Sequence, residues 1–147
     1  VDWPARFQRL DADNRMILDG AHNIDSAETL VRTWQQKFPG EKASIVFGAA
    51  SSKDVRAILR AMQPIAARWH FTGFQSTRSA PPAHIREVLA AMFGPSVETH
   101  VHESPDLAIA AAKKDKERTL ITGSLYLAGE VLAHVRGEEK LFQATAQ

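Results

Sequence analysis

The sequence contains no cysteine among its 147 residues. This excludes a disulfide framework, a thiolate nucleophile and a cysteine-ligated metal site, and it is in keeping with a cytoplasmic protein. An excess of charge of one sign is also lacking, since 18 Lys and Arg residues balance 17 Asp and Glu residues. The charge balance therefore indicates neither a nucleic acid nor a membrane surface as a partner.

Three familiar site motifs are missing as well. The sequence has no G-x-x-x-x-G-K-[ST] P-loop, no G-x-G-x-x-G turn after a strand and no G-x-S-x-G elbow. A P-loop phosphate site, dinucleotide binding in the usual manner and a hydrolase nucleophile of that type are not supported by these residues. No apolar run approaches the ~20 residues of a membrane-spanning helix.

What the sequence does contain is an alternation of short apolar runs and helical stripes. Residues 6–10 and 16–18 predict an opening β-hairpin, and further strand patterns lie at residues 43–47, 69–72, 98–102 and 119–122. Helical patterns lie between them, at residues 25–38, 55–62, 85–93, 105–114 and 125–135. This order predicts a single α/β domain over residues 1–147, with a Rossmann-like, mostly parallel sheet and helices on both faces.

Local signals mark where two of these helices begin. Asp25 and Glu28 have the spacing of a capping box at the start of the first helix. The run Ser104, Pro105, Asp106 combines a capping hydroxyl, a proline at the first helical position and an acid near the helix dipole. Both helices are therefore expected to begin at these residues.

Glycine follows four of the predicted strands, at Gly20, Gly48, Gly73 and Gly123. Because the carboxyl ends of parallel strands meet at one edge of a sheet, these glycines predict a row of close turns along that edge. Ligands of open α/β sheets bind outside the carboxyl ends of the strands. The functional site is therefore expected there.

Asp19, His22 and Asn23 surround the first of these turns and are the strongest candidates. They have the polar groups to contact a bound anion, a sugar or a metal-linked phosphate, close to a helix N-terminus. The alternative is that Asp19 and Asn23 satisfy backbone groups of the turn and that His22 is simply exposed. Spacing alone does not separate the two interpretations.

Three further polar side chains follow the other strands. Ser124 could hydrogen-bond a ligand carboxylate, although a helix N-cap is the more ordinary role for it. Lys53 could meet a phosphate and Arg78 a carboxylate, but solvated surface positions are favoured for both. His100 and His102 share one face of a strand, yet no third ligand is evident, so no metal site is predicted.

Three motifs resemble a known family in order and spacing: W-P-A-R-F-Q at residues 3–8, L-D-G-A-H-N at 18–23 and I-T-G-S-L-Y at 121–126. They look like the C-terminal domain of folylpolyglutamate synthase and dihydrofolate synthase, in the Mur ligase superfamily. The resemblance implies an ATP-dependent ligase that joins L-glutamate to a folate or to dihydropteroate through an acyl phosphate. It also implies ATP and Mg²⁺, bound mainly by an N-terminal P-loop domain of the same polypeptide that is absent from these residues.

The resemblance assigns roles to individual residues. Arg6 and Asp19 match nucleotide contacts, His22 and Asn23 match residues at the reaction site, and Ser124 matches a residue near glutamate. Two positions depart from the family pattern: Ala5 replaces the usual glycine, and Ile24 replaces a frequent proline. Neither change removes a functional group, but Ile24 is expected to affect how the helix begins.

Two other functions stay open at this point. A cell-wall Mur ligase is disfavoured, because the D-N-P-R motif of those enzymes is missing. A free-standing module that binds a nucleotide or an amino acid without catalysis is the other alternative. On the ligase hypothesis, the 147 residues alone are expected to be inactive for want of a P-loop.

Overall fold

Six strands form one sheet in the structure, a computed structural model that describes residues 5–52 and 54–145, with side chains as far as residue 137. They are β1 (Gln8–Arg9), β2 (Met16–Leu18), β3 (Ala43–Phe47), β4 (Ala66–Phe71), β5 (Thr99–Val101) and β6 (Arg118–Thr122). Their order across the sheet is β1-β2-β6-β3-β4-β5. β1 is antiparallel to β2, and the other pairs are parallel. The predicted hairpin and mostly parallel sheet are confirmed.

Helices cover both faces of this sheet. Those in the described residues are α1 (Ile24–Lys37), α2 (Val55–Met62), α3 (Pro82–Phe93), α4 (Pro105–Lys113) and α5 (Leu125–Thr145). Buried side chains of α1, α2 and α3 pack with Ile45 and Phe47, whereas those of α4 and α5 pack with Val46. Since alternate strand residues point to opposite faces, the first three helices cover one face and the last two cover the other. None of the helices in these ranges is long and apolar enough to cross a bilayer.

Helix α1 shows how the sequence produces this packing. Ala27, Leu30, Val31 and Trp34 recur at helical spacing, and all four are buried against the sheet. The ring of Trp34 packs edge-on against Phe38, with 4.8 Å between the ring centres. Burying a large apolar side chain stabilises a fold by roughly 1.5–3 kcal/mol. This stripe therefore holds the helix that follows the first glycine turn.

Two strand boundaries differ from the prediction. β1 is only two residues long, because Phe7 has a φ of 45° and leaves the extended conformation. β4 begins at Ala66 rather than at Trp69, directly after a 3₁₀ turn at Gln63–Ile65. Arg68 interrupts the apolar pattern in the first half of β4, which is why the sequence pattern identifies only its second half.

The start of α1 differs from the predicted capping box of Asp25 and Glu28. Asn23 is the N-cap: its side chain accepts the N–H of Ser26 at 2.8 Å, and the hydroxyl of Ser26 accepts the N–H of Asn23 at 3.2 Å. The reciprocal pair is a capping box two residues earlier in the chain. Because Ile24 is then the first helical residue, the helix begins immediately at the turn.

The four strand-end glycines lie side by side, because the sheet order places β2, β6, β3 and β4 next to one another. Gly123 has a φ of 113°, and a Cβ there would overlap the carbonyl oxygen of Gly48. A Cβ on Gly48 would itself lie 2.8 Å from the carbonyl oxygen of Thr72. Neighbouring turns are therefore packed too closely for a side chain at these two positions.

Candidate functional site

A cleft of about 850 Å³ opens where residues 5–7, the turn after β2 and the first turns of α1 meet. Its lining includes four of the residues singled out in the sequence: Arg6, Asp19, His22 and Asn23. Ligand pockets in proteins typically measure about 300–1,000 Å³. The structure therefore brings these four residues together around one space large enough for a ligand. Trp3 and Pro4 of the first motif lie outside the described residues.

Asp19 uses both carboxylate oxygens on backbone groups. Oδ2 accepts the N–H of Phe7 at 3.0 Å, and Oδ1 accepts the N–H of Ala21 at 2.9 Å. Burial raises the pKa of the Asp19 carboxyl group, although these two hydrogen bonds and the positive charge of Arg6 act in the opposite direction. Asp19 thus ties the segment that carries Arg6 to the turn after β2.

Arg6 is exposed between two residues with left-handed backbone, Ala5 with a φ of 59° and Phe7 with a φ of 45°. Phe7 anchors the segment, because its ring packs 6.3 Å from the ring centre of Trp34 and 6.1 Å from that of Phe38. Among the described residues, Arg6 has no ion-pair partner. Its guanidinium group is therefore held at the cleft and available to bind an anion.

His22 is half-buried, and one hydrogen bond holds its ring. Nδ1 lies 2.9 Å from the carbonyl oxygen of Gly20, and because a carbonyl group only accepts, Nδ1 carries the proton. In the neutral ring Nε2 then keeps a lone pair, and none of the described residues bonds to it. His22 can therefore accept a proton or a hydrogen bond from a ligand in the cleft.

Asn23 is exposed at the rim of the cleft, and its side-chain oxygen is already engaged. This oxygen accepts the N–H of Ser26 at 2.8 Å and the hydroxyl of Ser26 at 2.7 Å. The capping role considered from the sequence is thus present. A contact with a ligand would have to come from the amide nitrogen of Asn23.

A second pocket of about 250 Å³ lies beside the cleft, at the carboxyl ends of β6 and β3. Its described lining is His22, Ala50, Ser52, Arg78, Gly123, Ser124, Leu125 and Tyr126. Ser124 is 2% exposed, and its hydroxyl accepts the N–H of Tyr126 at 3.0 Å. Ser124 is therefore an N-cap, as the sequence favoured, and a pocket residue as well. His22 belongs to both spaces, so the two pockets adjoin.

Arg78, considered from the sequence as a carboxylate contact or as a solvated surface residue, lies at the smaller pocket. It is exposed, as favoured, but it also lines the pocket of Ser124. Sequence gives no signal for this, because β6 separates β2 from β3 in the sheet and only that order brings the loop after β4 near the start of α5. Lys53, the other cation considered, lies outside the described residues.

A metal site is not evident in the part of the chain that the structure describes, where no group of three or more His, Asp or Glu side chains is arranged to hold an ion. His100 and His102 instead lie around the buried ring of His70. Nδ1 of His70 is 2.9 Å from Nε2 of His102, and its Nε2 is 2.9 Å from Asp115. Ser44 donates to the same Asp115 oxygen at 2.6 Å. Ser44 and His70 are buried in this polar network, whereas Asp115 and His102 are partly exposed. The sequence did not reveal the network, because its residues are far apart in the chain.

The family described as "Mur ligase, glutamate ligase domain" matches residues 5–125. That range begins at the segment of Arg6 and ends at Leu125, so it contains Asp19, His22, Asn23 and Ser124. Both pockets described above therefore lie almost entirely within the matched region.

Individual relatives agree with this match. A Bacillus subtilis dihydrofolate synthase/folylpolyglutamate synthase is 30% identical over 132 residues, which is 88% of this chain and 30% of that protein. A Mycobacterium tuberculosis folylpolyglutamate synthase, solved in complex with ADP and AMPPCP, superposes with a TM-score of 0.82 at 26% identity, over 92% of this chain and 33% of that one. A bifunctional enzyme of this kind from Yersinia pestis, solved with AMPPNP and a Mn ion, superposes with a TM-score of 0.77 at 25% identity, over 92% of this chain and 32% of that one. The chain thus spans about a third of the length of these relatives.

Proposed function

The chain belongs to the Mur ligase family through its glutamate ligase domain, and from this we propose that it works as the C-terminal domain of an ATP-dependent ligase. The reaction adds L-glutamate to a folate, to dihydropteroate, or to both. In the whole protein the P-loop and most contacts to ATP and Mg²⁺ would come from an N-terminal domain of the same polypeptide. The expected cytoplasmic location of the protein stays a prediction.

The observation that carries this proposal is the position of His22, which lines two adjoining pockets of different character. The larger cleft has Arg6, which forms no ion pair with the residues that the structure describes, and the first turn of α1, both suited to the phosphates of a nucleotide. The smaller pocket, with Ser124 and Arg78, has a size and charge suited to an amino acid. A ligase of this kind must bring an activated acid and an amine together, and the boundary at His22 is where the two ligands would meet.

The proposed reaction has two steps. The carboxylate oxygen of the folate or dihydropteroate attacks the γ-phosphorus of ATP, which gives an acyl phosphate and ADP. The nitrogen of the glutamate amine then attacks the acyl carbon, the C–O bond to phosphate breaks, and inorganic phosphate leaves as the amide forms. The glutamate ammonium group must lose one proton before the attack, because it has no lone pair until then, and the nitrogen loses a second proton as the amide forms.

His22 is suited to take one of those protons. Its Nδ1–H group is held by the carbonyl of Gly20, so the neutral ring has its lone pair on Nε2. A general base of this type contributes about 10²- to 10⁴-fold to a rate. Asp19 would support the other side of the site, because it accepts the N–H of Phe7 and so holds the segment of Arg6 at the cleft where the nucleotide would bind.

The residues at the cleft are suited to binding a nucleotide, but they offer few ligands for a metal ion. Arg6 would contact the nucleotide, and the Asp19 carboxylate is already committed to two backbone N–H groups. Among the side chains that the structure describes, in residues 5–52 and 54–137, there is no group of three or more metal ligands arranged to hold an ion. When bound, Mg²⁺ would stabilise charge on the transferred phosphoryl group, and we assign its ligands to the N-terminal domain.

The two alternatives make different predictions. A cell-wall Mur ligase would act on a UDP-linked muramyl substrate, and the folate-ligase names of the relatives above favour a folate instead. A free-standing binding module would hold a nucleotide or glutamate without turnover. The pairing of a proton acceptor with two adjoining pockets favours catalysis over binding alone.

The test uses the full-length protein that contains this chain. We expect ATP-dependent addition of L-glutamate to dihydropteroate or to a reduced folate, measured by product formation and phosphate release. His22→Ala should lower kcat/KM by about 100-fold or more, the contribution of a lost general base. Asp19→Ala should also lower kcat/KM severely, because Arg6 loses its support.

The matched control is His84→Ala, an exposed histidine of α3 outside both pockets, which should stay within about twofold of the wild type. If both site variants also stay within about twofold, a change of only ~0.4 kcal/mol, the assigned site is wrong. Turnover of a UDP-muramyl substrate in place of a folate would establish the cell-wall alternative. Nucleotide binding with no ligation of any of these acids would establish the binding module.

A further inference from the structure

We propose that Arg78 binds the side-chain carboxylate of the incoming L-glutamate and so determines that the ligase selects glutamate over uncharged amino acids. The inference rests on the proposed function and deepens it, since it assigns a specificity residue that neither the motifs nor the relatives identify. It starts from the smaller pocket, where Arg78 and Ser124 lie together.

The permanent charge on the described lining of this pocket is positive. Of the described residues that line it, Arg78 is the only one with a permanent charge, and none has a carboxylate. Arg78 forms no ion pair with any carboxylate in the described ranges. A pocket of about 250 Å³ with an unpaired guanidinium group has room for a small molecule and attracts an anionic one.

The backbone of Arg78 is held firmly in this place. The carbonyl oxygen of Arg78 accepts the N–H of Ser51 at 2.7 Å, and the N–H of Ala80 donates to the carbonyl oxygen of Ala49 at 2.9 Å. The loop after β4 is thus hydrogen-bonded along the loop after β3. Arg78 is therefore a positioned residue at the pocket, although its side chain is exposed.

The side chain of Arg78 also has a platform. Its guanidinium carbon lies 6.0 Å from the ring centre of Tyr126. The ring of Tyr126 in turn stacks on that of Phe74, with 5.8 Å between the ring centres and 4° between the planes. The loop is joined to α5 once more, where Glu130 accepts the N–H of Gln75 at 2.7 Å. A cation over an aromatic ring is stabilised while its N–H groups stay available.

The order of the strands indicates which of the two glutamate carboxylates, that of the side chain or the α-carboxylate, would bind to Arg78. Along the carboxyl edge, His22 follows β2, Ser124 follows β6, and Arg78 follows β4, with β3 between. Neighbouring strands lie about 4.8 Å apart, so Arg78 belongs to the end of the pocket remote from His22. The glutamate amine must reach the acyl phosphate near His22. Its far carboxylate, that of the side chain, is then directed towards Arg78.

The experiment is steady-state kinetics of the full-length protein with the variants Arg78→Gln and Arg78→Lys. A lost hydrogen-bonded charge pair weakens binding by roughly 10- to 150-fold. We expect Arg78→Gln to raise KM for L-glutamate by a factor in that range, with the KM values for ATP and for the folate within about twofold and kcat little changed. Arg78→Lys should recover part of the loss, because it keeps the charge without the planar fork.

The control is Arg86→Gln, an exposed arginine of α3 outside both pockets, which should leave every constant within about twofold. L-Glutamine, as a substrate or as a competitive inhibitor, provides the second readout. The proposal requires its interaction with the enzyme to be nearly unaffected by Arg78→Gln, so that the preference for glutamate falls by the same 10- to 150-fold.

Two outcomes would overturn the proposal while the proposed function stands. One is that the wild-type enzyme ligates glutamate and that Arg78→Gln has the same KM for L-glutamate as the wild type. The other is an equal loss for glutamate and glutamine, which would mean that Arg78 holds the α-carboxylate. Absence of glutamate ligation in the wild type is a different result: it refutes the proposed function, and the role of Arg78 falls with it.

Discussion

Ser124 illustrates how a single residue in this site has two roles. Its hydroxyl accepts backbone N–H groups of Tyr126 at 3.0 Å and Leu127 at 3.4 Å, and its side chain also lines the smaller pocket. Asn23 combines a cap and a site position in the same way. At such residues a loss of activity is informative only when it is separated from a loss of helix stability.

Replacing Ser124 by alanine should separate these effects when it is compared with Ser104→Ala. Ser104 caps α4 through a 3.2 Å bond from the N–H of Leu107 and lies outside the pockets described here. Loss of an N-cap costs about 1 kcal/mol, so urea unfolding should show a similar destabilisation in both variants. Only Ser124→Ala should raise KM for L-glutamate in the full-length protein. An equal rise in both variants would assign Ser124 to the helix alone.

Ala5 has a backbone conformation that is costly for a residue with a side chain. It has a φ of 59°, a conformation that glycine adopts freely and that costs an L-residue roughly 1–2 kcal/mol. Its carbonyl oxygen nevertheless accepts the N–H of Gly20 at 2.7 Å. The segment of Arg6 is therefore retained in its place by contacts elsewhere, from Asp19 and from the ring of Phe7.

At the scale of elements, the shape of the carboxyl edge of the sheet depends on how closely neighbouring turns approach. The turn after β6 donates through the N–H of Gly123 to the carbonyl oxygen of Ala21, and that after β3 donates through the N–H of Gly48 to Thr122. These bonds join the turns of β2, β6 and β3 in one row. The two pockets are adjacent because the turns that line them are adjacent to one another.

Gly123→Ala tests this arrangement against Gly40→Ala. Both glycines have positive φ, 113° and 76°, but a Cβ at Gly123 would overlap the backbone of Gly48, whereas nothing lies within 4 Å of one at Gly40. We expect Gly40→Ala to destabilise by about 1 kcal/mol through backbone strain alone. Gly123→Ala should destabilise by more than about 3 kcal/mol, since strain and overlap add. Equal unfolding free energies in denaturant titrations would contradict this account of the edge.

At the scale of the whole molecule, the polar network of Ser44, His70, His102 and Asp115 on the α4 side joins β3, β4 and the residue after β5 to the turn before β6. Burial opposes ionisation of Asp115, but hydrogen bonds from Ser44 and His70 and the nearby Arg68 together lower its pKa. Burial is also the main reason that the pKa of His70 is lowered, although Asp115 acts against this. His70 is 3% exposed. Because both pKa values are lowered, the folded protein at pH 7 has a neutral His70 ring and a charged Asp115 carboxylate.

This arrangement predicts that the fold loses stability in mild acid. Because the pKa of His70 is lower when folded, the unfolded chain binds a proton first as the pH falls below about 6.5. The free energy of unfolding should therefore fall from pH 7 downwards, by up to about 1.4 kcal/mol per pH unit for one such histidine, until the folded-state pKa is passed. Denaturant titrations between pH 7.5 and 5 measure the slope.

The variant His70→Gln should have a shallower slope than the wild type, whatever its absolute stability. His84→Gln, at an exposed site of α3, is the matched control and should keep the wild-type slope. His102, whose pKa burial and its histidine neighbours lower, accounts for part of the slope that remains. A slope unchanged by His70→Gln would show that the polar network is not what responds to acid.

Much of this architecture could be predicted from the sequence, because the signals for it are local. Alternating apolar periods located the elements, glycine marked the strand ends, and Ser104 with Pro105 marked the start of α4. The three motifs also led directly to Arg6, Asp19 and His22, which the structure places around one cleft. Boundaries were less accurate where a polar residue such as Arg68 or an alternative cap such as Asn23 competed with the pattern.

Sequence alone thus determined which residues form most of the strands, helices and turns, and which turns have the polar side chains that line the two pockets. Only the tertiary structure decided which of those turns meet. The insertion of β6 between β2 and β3 brings Ser124 beside His22, and the pairing of β4 with β3 brings Arg78 into the same pocket. Strand order depends on packing between segments far apart in the chain, and short-range periodicity has no information about it.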